Sequence, residues 1–527
     1  MAEPTGAAAQ SSLAPNAPSS VDGPRSRCRS AIAKLASELR EPMTITLFHT
    51  KSTLPKFEAA VRSTQAALQA LAEGSAGKLV ARSVEVANES DRKLALDRGL
   101  QEVTFGEVTG PNEQASIFRG VFGLSFDYRA ERQVIPVLSP DRSPGLEFWI
   151  ANKIREARAE ADAVTQTVGV VAKKGTTLDD PFLIPSSGTG PSPTIQRIMQ
   201  QAVPYYRFVA VDLDHGKAAV DPELPGLLVL QADEDWTDRE LARIDEFLMR
   251  GDKTVMVFAG AVAMPAHDPG MRARLDTRRF DRLLSGYGLE LRPAMVLDPS
   301  GAATFPLVRA GGSPETVAAP GVLLLTADQD VSPAQRQLDD TSPIFFRLAE
   351  LALPYPSPLV LHPERQPRAM LRVLARSSER AWEVQQANLA LRPRVGAPAP
   401  ATGPSDRFAL AATVEGTLRS AWAASPLEGM NVPGESTRPS RLLVVASPQF
   451  LANPFARASA ASAVAKTAPV SKADQELGEL ARAYAQRHLT ATILAFKNGL
   501  DWMTAQQDMV VCATLVPSLP PEAPAAR

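Results

Sequence analysis

The sequence predicts an α/β protein with a small mixed sheet in its first part and an open, mostly parallel sheet in its second part. Three observations carry this prediction. Residues 226–258 spell one complete strand–helix–strand unit, residues 43–158 alternate strands and helices in a recognisable order, and the pattern beyond residue 300 is rich in strands. At 527 residues the chain is too long for one compact core, so two or three domains are expected.

The strand–helix–strand unit is the clearest local signal. Its strands, 226–231 and 255–258, are apolar without alternation, as in strands covered on both faces. Between them, Thr237 and Glu240 match a capping box at a helix N-terminus. Gly251 stands where a helix commonly turns left-handed and stops. A crossover of this kind specifies an open, mostly parallel sheet.

The first domain is predicted at 26–162. It opens with an amphipathic helix that ends before Pro42, and the remaining elements follow in the order βαβ…ββα. This order is the thioredoxin-like arrangement. The predicted strands are 43–48, 77–86, 121–127 and 133–137, the last two forming a hairpin, and the predicted helices are about 56–73 and 145–158.

The second domain is predicted at 163–515, with a flavodoxin-like or glutamine-amidotransferase-like parallel sheet followed by a β-rich extension. The parallel strands are expected at 167–171, 208–212, 226–231, 255–258 and 294–298, with further helices near 193–203 and 275–286. The extension contributes strands at 321–325, 370–375, 409–414 and 441–446, loops at 393–405 and 426–440, and two final helices at about 472–486 and 490–505. Residues 1–25 and 516–527 are expected to be disordered tails.

Composition excludes several classes of protein. With 56 basic and 58 acidic side chains the formal net charge is -2, so no nucleic-acid partner is expected. No apolar run approaches the ~20 residues that cross a bilayer, and no signal peptide is visible, so the chain as given is expected to be soluble.

Cysteine and histidine usage excludes most metal and redox sites. Cys28 and Cys512 can form neither a disulfide framework nor a thiolate metal site, and the sequence leaves open whether they pair. The five histidines show no ligand spacing, so neither a metal nor a cofactor is predicted. They are His49, His215, His267, His362 and His488.

The positions that would carry catalysis in these folds are vacant. A thioredoxin-like redox pair would follow the first strand, but residues 49–55 contain no cysteine, which excludes thiol–disulfide chemistry. His49 is therefore interpreted as a structural histidine rather than a base. The second domain lacks a Gly-x-Ser-x-Gly turn, a cysteine nucleophile and a phosphate-binding Gly-x-x-x-x-Gly-Lys-Ser/Thr signature. We therefore predict that the protein is not an enzyme, and no catalytic, cofactor or metal residue is assigned.

Two segments of the sequence have features of a ligand site. Asp233, Glu234 and Asp235 follow a strand, where open α/β sheets bind ligands or cations. The favoured interpretation is a solvated loop with charges that suit a helix N-terminus. The Ser/Gly/Pro-rich stretch 186–193 is interpreted as a flexible loop rather than a phosphate cradle, because proline removes backbone donors.

Two aromatic pairs are candidate contacts for a sugar or a protein partner. Phe148 and Trp149 begin an amphipathic helix, and Trp149 is predicted to lie in the core. Tyr205 and Tyr206 precede a strand, and either a core or a binding role fits them.

The order of these elements resembles the auxiliary component of the ABC transport system associated with gliding motility. That family is also similar to the N-terminal domain of an intraflagellar transport subunit. The resemblance rests on several short segments, which together span about residues 30–512. They are 41–48, 133–137, 146–154, 236–258, 287–291, 296–298, 441–446 and 498–502.

The resemblance implies a non-catalytic accessory subunit on the periplasmic, extracytoplasmic face of the inner membrane, docked on an ABC permease whose ATPase hydrolyses ATP. It also implies membrane helices before position 25 and after about 515, so the chain is expected to be the extracytoplasmic part. Residues 446–450 lack the acidic residues usual in the family, so the resemblance does not support a ligand or metal role for this loop. The alternatives are a soluble scaffold and a periplasmic sugar- or polymer-binding module.

Overall fold

The structure is a computed structural model. It describes residues 22–107, 116–138, 146–171, 173, 180–183, 193–308, 314–327, 331, 336–339, 341–346, 348–395, 404–459, 471–504 and 512. Residues 1–21 of the predicted tail 1–25, the predicted tail 516–527 and most of the predicted loop 186–193 lie outside the described residues. Within these ranges the protein is mixed α/β, as predicted, and its sheets are open rather than closed into a barrel.

The first unit consists of four helices and a five-stranded sheet. The helices are α1 (Asp22–Ser37), α2 (Pro55–Gly74), α3 (Glu89–Asp97) and α4 (Leu146–Asp162). The strands are β1 (Met43–His49), β2 (Leu79–Glu85), β3 (Glu102–Glu107), β4 (Ser116–Tyr128) and β5 (Glu131–Ile135). All elements predicted for this region are present, and β4 and β5 form the predicted hairpin. The sequence did not predict α3 and β3, and α1 begins inside the stretch expected to be disordered.

The sheet of the first unit has the strand order β2-β1-β4-β3, with β5 also paired to β4. β1 and β2 are parallel, and the other pairs are antiparallel. Helices α1, α2 and α4 bury their apolar faces on one side of this sheet, where Leu47 and Phe122 lie. On the other side α3 packs through Ala95 against Phe48 and Val121.

The second unit contains the remaining elements. Its helices are α5 (Ile195–Ala202), α6 (Asp238–Met249), α7 (Phe280–Gly286), α8 (Pro454–Ala458) and α9 (Lys472–Met503). Its strands are β6 (Gln166–Val171), β7 (Tyr206–Val211), β8 (Gly226–Leu230), β9 (Thr254–Phe258), β10 (Val262–Ala263), β11 (Arg272–Leu275), β12 (Leu289–Leu291), β13 (Met295–Leu297), β14 (Ala302–Val308), β15 (Pro314–Thr326), β16 (Glu350–Pro354), β17 (Leu359–Leu361), β18 (Ala369–Arg376), β19 (Trp382–Val384), β20 (Asn388–Ala390), β21 (Arg394–Val395), β22 (Ala409–Gly416) and β23 (Ser440–Val445).

A nine-stranded sheet forms the centre of this unit. Its order is β12-β17-β22-β23-β9-β8-β6-β7, with β18 also paired to β22. The five strands from β23 to β7 are parallel, and the others are antiparallel. Every side chain of β8 and β9 is buried, because α6 and α7 cover one face of the sheet and α5 and α9 the other.

The predicted strand–helix–strand unit is confirmed. The side chains and backbones of Thr237 and Glu240 form the reciprocal capping box at the start of α6. Gly251 follows α6 with φ +79°. A Cβ there would lie 2.5 Å from the backbone nitrogen of Arg438, so only glycine fits this turn.

Three predictions about the second unit are wrong. The strand at 294–298 does not join the parallel sheet, because β13 pairs with β19 in a separate two-stranded sheet. The fifth parallel strand is β23, which the sequence placed in the extension; an apolar run fits any buried strand and does not specify its neighbour. The two predicted final helices are one 32-residue helix, α9, since residues 487–489 contain neither glycine nor proline to end it.

None of the described helices combines the length and the apolar character that crossing a bilayer demands.

Candidate functional site

The carboxyl edge of the parallel sheet carries the acidic run weighed in the sequence. It follows β8, and each member faces a cation from another part of the chain. Asp233 lies 2.9 Å from Nη2 of Arg457, Asp235 lies 3.0 Å from Nη1 of Arg278, and Glu234 lies 3.6 Å from Nζ of Lys173. The run is therefore ion-paired within the protein.

Arg457 is the most buried of these cations. From α8 it contacts carboxylate oxygens of both Asp180 and Asp233, and its Nε donates to the carbonyl of Met264 at 3.1 Å. Burial raises the pKa of Asp180, although Arg457 acts in the opposite direction. Arg457 thus links α8 to the segments that follow β8 and β10, which is a structural role.

Lys173 occupies the space beyond β6. Its Nζ donates to both carboxylate oxygens of Glu240 at 3.1 Å and to the carbonyl of Asp235 at 3.2 Å. It also lies 4.9 Å from the ring centroid of Trp236. Burial by itself would raise the pKa of Glu240, but the hydrogen bonds from Thr237 and Lys173 lower it. The three basic side chains offset the negative charge of the acidic run, which lowers its attraction for a cation.

No metal site emerges from the described residues. Within the ranges given above, no group of three or more His, Cys, Asp or Glu side chains has a geometry that could hold a metal ion.

The segment 49–55, where the predicted thioredoxin-like fold would carry redox cysteines, begins with His49, the last residue of β1. Its side chain is 9% exposed, and its Nδ1 has no hydrogen-bond partner in the described part of the chain. Burial lowers the pKa of His49, opposed by the nearby carboxylates of Glu85 and Glu58. A neutral imidazole packed at a strand end fits the structural role predicted for it.

The polar side chains of the loop 446–450, which follows β23, are also turned into the protein. Ser447 and Gln449 are buried, and they donate to the carbonyls of Pro354 and Val262. Gly260 approaches the same loop so closely that a Cβ would meet Pro448 at 2.8 Å. The polar side chains here bind other parts of the chain.

A buried charged cluster joins the two units. Asp501 of α9 accepts from Nη1 of Arg155 at 2.9 Å and from the hydroxyl of Tyr206 at 2.6 Å. Lys497, one helical turn earlier, places Nζ 2.6 Å from the other oxygen of Asp501. The guanidinium of Arg155 also lies 4.1 Å from the ring centroid of Tyr205. The cluster contacts α4, β7 and α9 together.

The burial of the aromatic pairs differs in part from the prediction. Trp149 was predicted to lie in the core, but it is 45% exposed, whereas Phe148 is buried beneath Nζ of Lys497. The helix turns its side chains by about 100° per residue, so neighbours in sequence face different ways. Tyr205 and Tyr206, for which the sequence left both roles open, are buried in the cluster around Asp501.

A disulfide forms the second link between distant parts of the chain. Cys28 of α1 bonds to Cys512, 484 residues away, and both side chains are fully buried. The sequence could not decide this pairing. It also missed the Asp501 cluster, for which one signal was available: Lys497 and Asp501 are spaced i,i+4 between the apolar segments 493–496 and 502–503.

Comparison with known proteins gives one family. A family model described as an ABC-type uncharacterized transport system, of the auxiliary class, matches residues 165–477. The match covers more than half of the chain, from the start of β6 into α9. No curated protein matches the chain.

Proposed function

Because the chain belongs to this auxiliary family of ABC-type transport systems, we propose that it is a non-catalytic accessory component that docks on a permease from the extracytoplasmic side. The match over residues 165–477 is the observation that carries the proposal. The partner ATPase would supply the energy, since the sequence has no phosphate-binding signature of its own.

The carboxyl edge of the parallel sheet supports a non-catalytic role. Open α/β sheets usually bind ligands at this edge. Here Lys173, Arg278 and Arg457 are held in internal ion pairs with the acidic residues around them. Because these side chains already bind other parts of the chain, they favour a scaffold role for this region over a catalytic one.

We also infer the finer fold assignment and the two domains. The order of β7, β6, β8, β9 and β23 reads 2-1-3-4-5 in chain order, which is the flavodoxin-like order. The order β2-β1-β4-β5, with β1 and β2 joined through α2, supports a thioredoxin-like first domain at 26–162. The second domain would then be 163–515.

The disulfide supports an extracytoplasmic location. Disulfides persist in oxidising compartments and are rare in the cytosol, where thiols are kept reduced. The two cysteines of this chain pair with each other and are buried. A free thiol at both positions, in protein alkylated directly from cells, would contradict this location.

The test of the transporter role is a tagged pull-down from detergent-solubilised membranes, read by mass spectrometry. Recovery of a polytopic permease together with its ATPase is the expected result. Recovery of soluble proteins only, at matched abundance, would overturn the proposal and favour a soluble scaffold.

A further inference from the structure

The strand β2 lies at an open edge of the first sheet. It pairs with β1 along its whole length, and among the described residues it has no strand on its other side. An unpaired strand edge presents backbone donors and acceptors to any extended chain that can reach them.

The direction of the backbone groups follows from the two ends of the strand. The carbonyl of Lys78 accepts from β1 at 2.9 Å, and the amide of Val86 donates to β1 at 2.8 Å. Because successive residues of a strand point their backbone groups to opposite sides, the even-numbered residues bind β1. The outward-facing residues are Leu79, Ala81, Ser83 and Glu85. The amide of Leu79 already donates to Oγ of Ser75. Among the described residues, the outward-facing backbone groups of the other three have no partner strand.

A groove of about 430 Å³ runs beside this edge, between α2 and β2. It is lined by Gln65, Ala66, Leu68, Gln69, Ala81, Arg82 and Ser83. Small side chains leave this space open, and Nε2 of Gln65 donates to Oγ of Ser83 at 3.1 Å across it. The lining therefore offers amide and hydroxyl groups, one arginine and no carboxylate.

The opposite face of β2 carries a different pattern. Val80, Arg82 and Val84 pair with residues of β1 on the side where Phe48 packs against Ala95 of α3. Val80 is 36% exposed, Val84 is half-buried, and Arg82 is exposed. Arg82 forms no ion pair within the described residues. A strand added here would place its own side chains directly opposite these three.

We propose that the edge of β2 binds an extended acidic segment of a partner protein by strand addition. The segment would alternate apolar–x–acidic–x–apolar residues, with the acidic residue opposite Arg82 and the apolar residues opposite Val80 and Val84. The intervening residues would point into the groove over Ala81 and Ser83. This inference does not depend on the transporter role, since any partner with such a segment would fit.

The test uses two fluorescein-labelled synthetic peptides with the cores Val-Thr-Glu-Thr-Val and Val-Thr-Lys-Thr-Val, titrated with the full chain and followed by fluorescence anisotropy. The decisive variant is Ser83→Pro, which removes an outward-facing amide without breaking the ladder to β1. Ser83→Ala is its matched control, because it keeps the amide and removes only the hydroxyl. Arg82→Glu tests the charge.

The glutamate peptide should bind the unaltered chain about ten-fold more tightly than the lysine peptide. Ser83→Pro should weaken that binding about ten-fold or more, while Ser83→Ala stays within about three-fold. Arg82→Glu should reverse the preference between the peptides. Equal binding by Ser83→Pro and Ser83→Ala, or no saturable binding of either peptide, would overturn the proposal. Peptide-independent dimerisation that Ser83→Pro abolishes would overturn it too, because the occupant would then be a second copy of this chain.

Discussion

Two buried aspartates in this protein have opposite surroundings. Asp501 lies between the two units with two cations, Arg155 and Lys497, against its oxygens. Asp245 of α6 is equally buried, but its partners are neutral: the hydroxyl of Tyr287, Oγ of Ser420 at 2.6 Å and an amide at 2.9 Å.

The pKa values follow from these partners. Burial by itself raises the pKa of either carboxyl group. At Asp501 the two cations more than offset burial and lower the pKa. At Asp245 burial prevails over the neutral donors and raises the pKa to about 6. Equal burial thus gives opposite charge behaviour, and the same Asp→Asn substitution should have opposite consequences at the two sites.

The largest expected effect is at the junction of the two units. Asp501→Asn leaves Arg155 and Lys497 buried without a counter-charge, which should lower the free energy of unfolding by about 3–5 kcal/mol. Urea denaturation at pH 7 measures it. The control is Glu435→Gln, whose exposed pair with Arg368 should contribute less than about 1 kcal/mol. A similar decrease in the free energy of unfolding in both variants would show that the Asp501 cluster contributes no more stability than an exposed ion pair.

The disulfide is the second restraint on the same junction. Cys28→Ser should lower the free energy of unfolding by roughly 2–5 kcal/mol, because the bond restricts the unfolded chain. Dithiothreitol should lower the stability of the unaltered protein by a similar amount and leave Cys28→Ser unchanged. A reductant effect that persists in the variant would contradict this account.

At Asp245 the expected effect depends on pH. A folded-state pKa of about 6 lies above the unfolded value, so the protonated form stabilises the fold at low pH, and this stabilisation is lost as pH rises through 6. Between pH 4 and 7 the free energy of unfolding of the unaltered protein should fall by roughly 2–3 kcal/mol relative to that of Asp245→Asn. The measurement is urea denaturation of both proteins across that range. A constant difference between them would show that Asp245 does not titrate there.

The variant is needed because other groups titrate in the same range. Burial lowers the pKa of His488 to about 4, so the neutral form is favoured in the fold. That histidine stabilises the fold increasingly as pH rises from about 4 to 6.5, which opposes the trend from Asp245. Taking the difference between the unaltered protein and Asp245→Asn cancels the contribution of His488.

The smallest expected effect concerns the start of α6, the helix that carries Asp245. Thr237→Ala removes the hydroxyl of the capping box and should lower the free energy of unfolding by about 1 kcal/mol. Thr53→Ala, at an exposed loop position, is the matched control and should change stability by less than about 0.5 kcal/mol. Thermal denaturation distinguishes them; indistinguishable midpoints would mean that Glu240 and Lys173 fix the helix start without the threonine.

Local pattern was sufficient for much of the fold. The capping box, Gly251 and two fully apolar runs predicted the unit from β8 to β9 correctly. The local sequence pattern did not predict that β23, about 180 residues later, lies beside β9. Pairing between strands so far apart in sequence does not affect the local pattern of either strand.

The candidate sites were less predictable for the same reason. The acidic run after β8 was visible, but Arg457, Arg278 and Lys173 come from three separate segments of the sequence. Trp149 was assigned to the core because its helix is amphipathic, although its neighbour Phe148 holds the inward position. The assignment of no site residues stays a prediction.

The bond between Cys28 and Cys512 also makes the polypeptide between them a covalent ring. A protease that cuts one loop of this ring opens it but releases no fragment, since both new ends remain attached through the sulfur atoms. Only a second cut, or a reductant, separates the pieces. In an oxidising compartment, therefore, a nicked molecule keeps its two halves together and has the opportunity to refold as one.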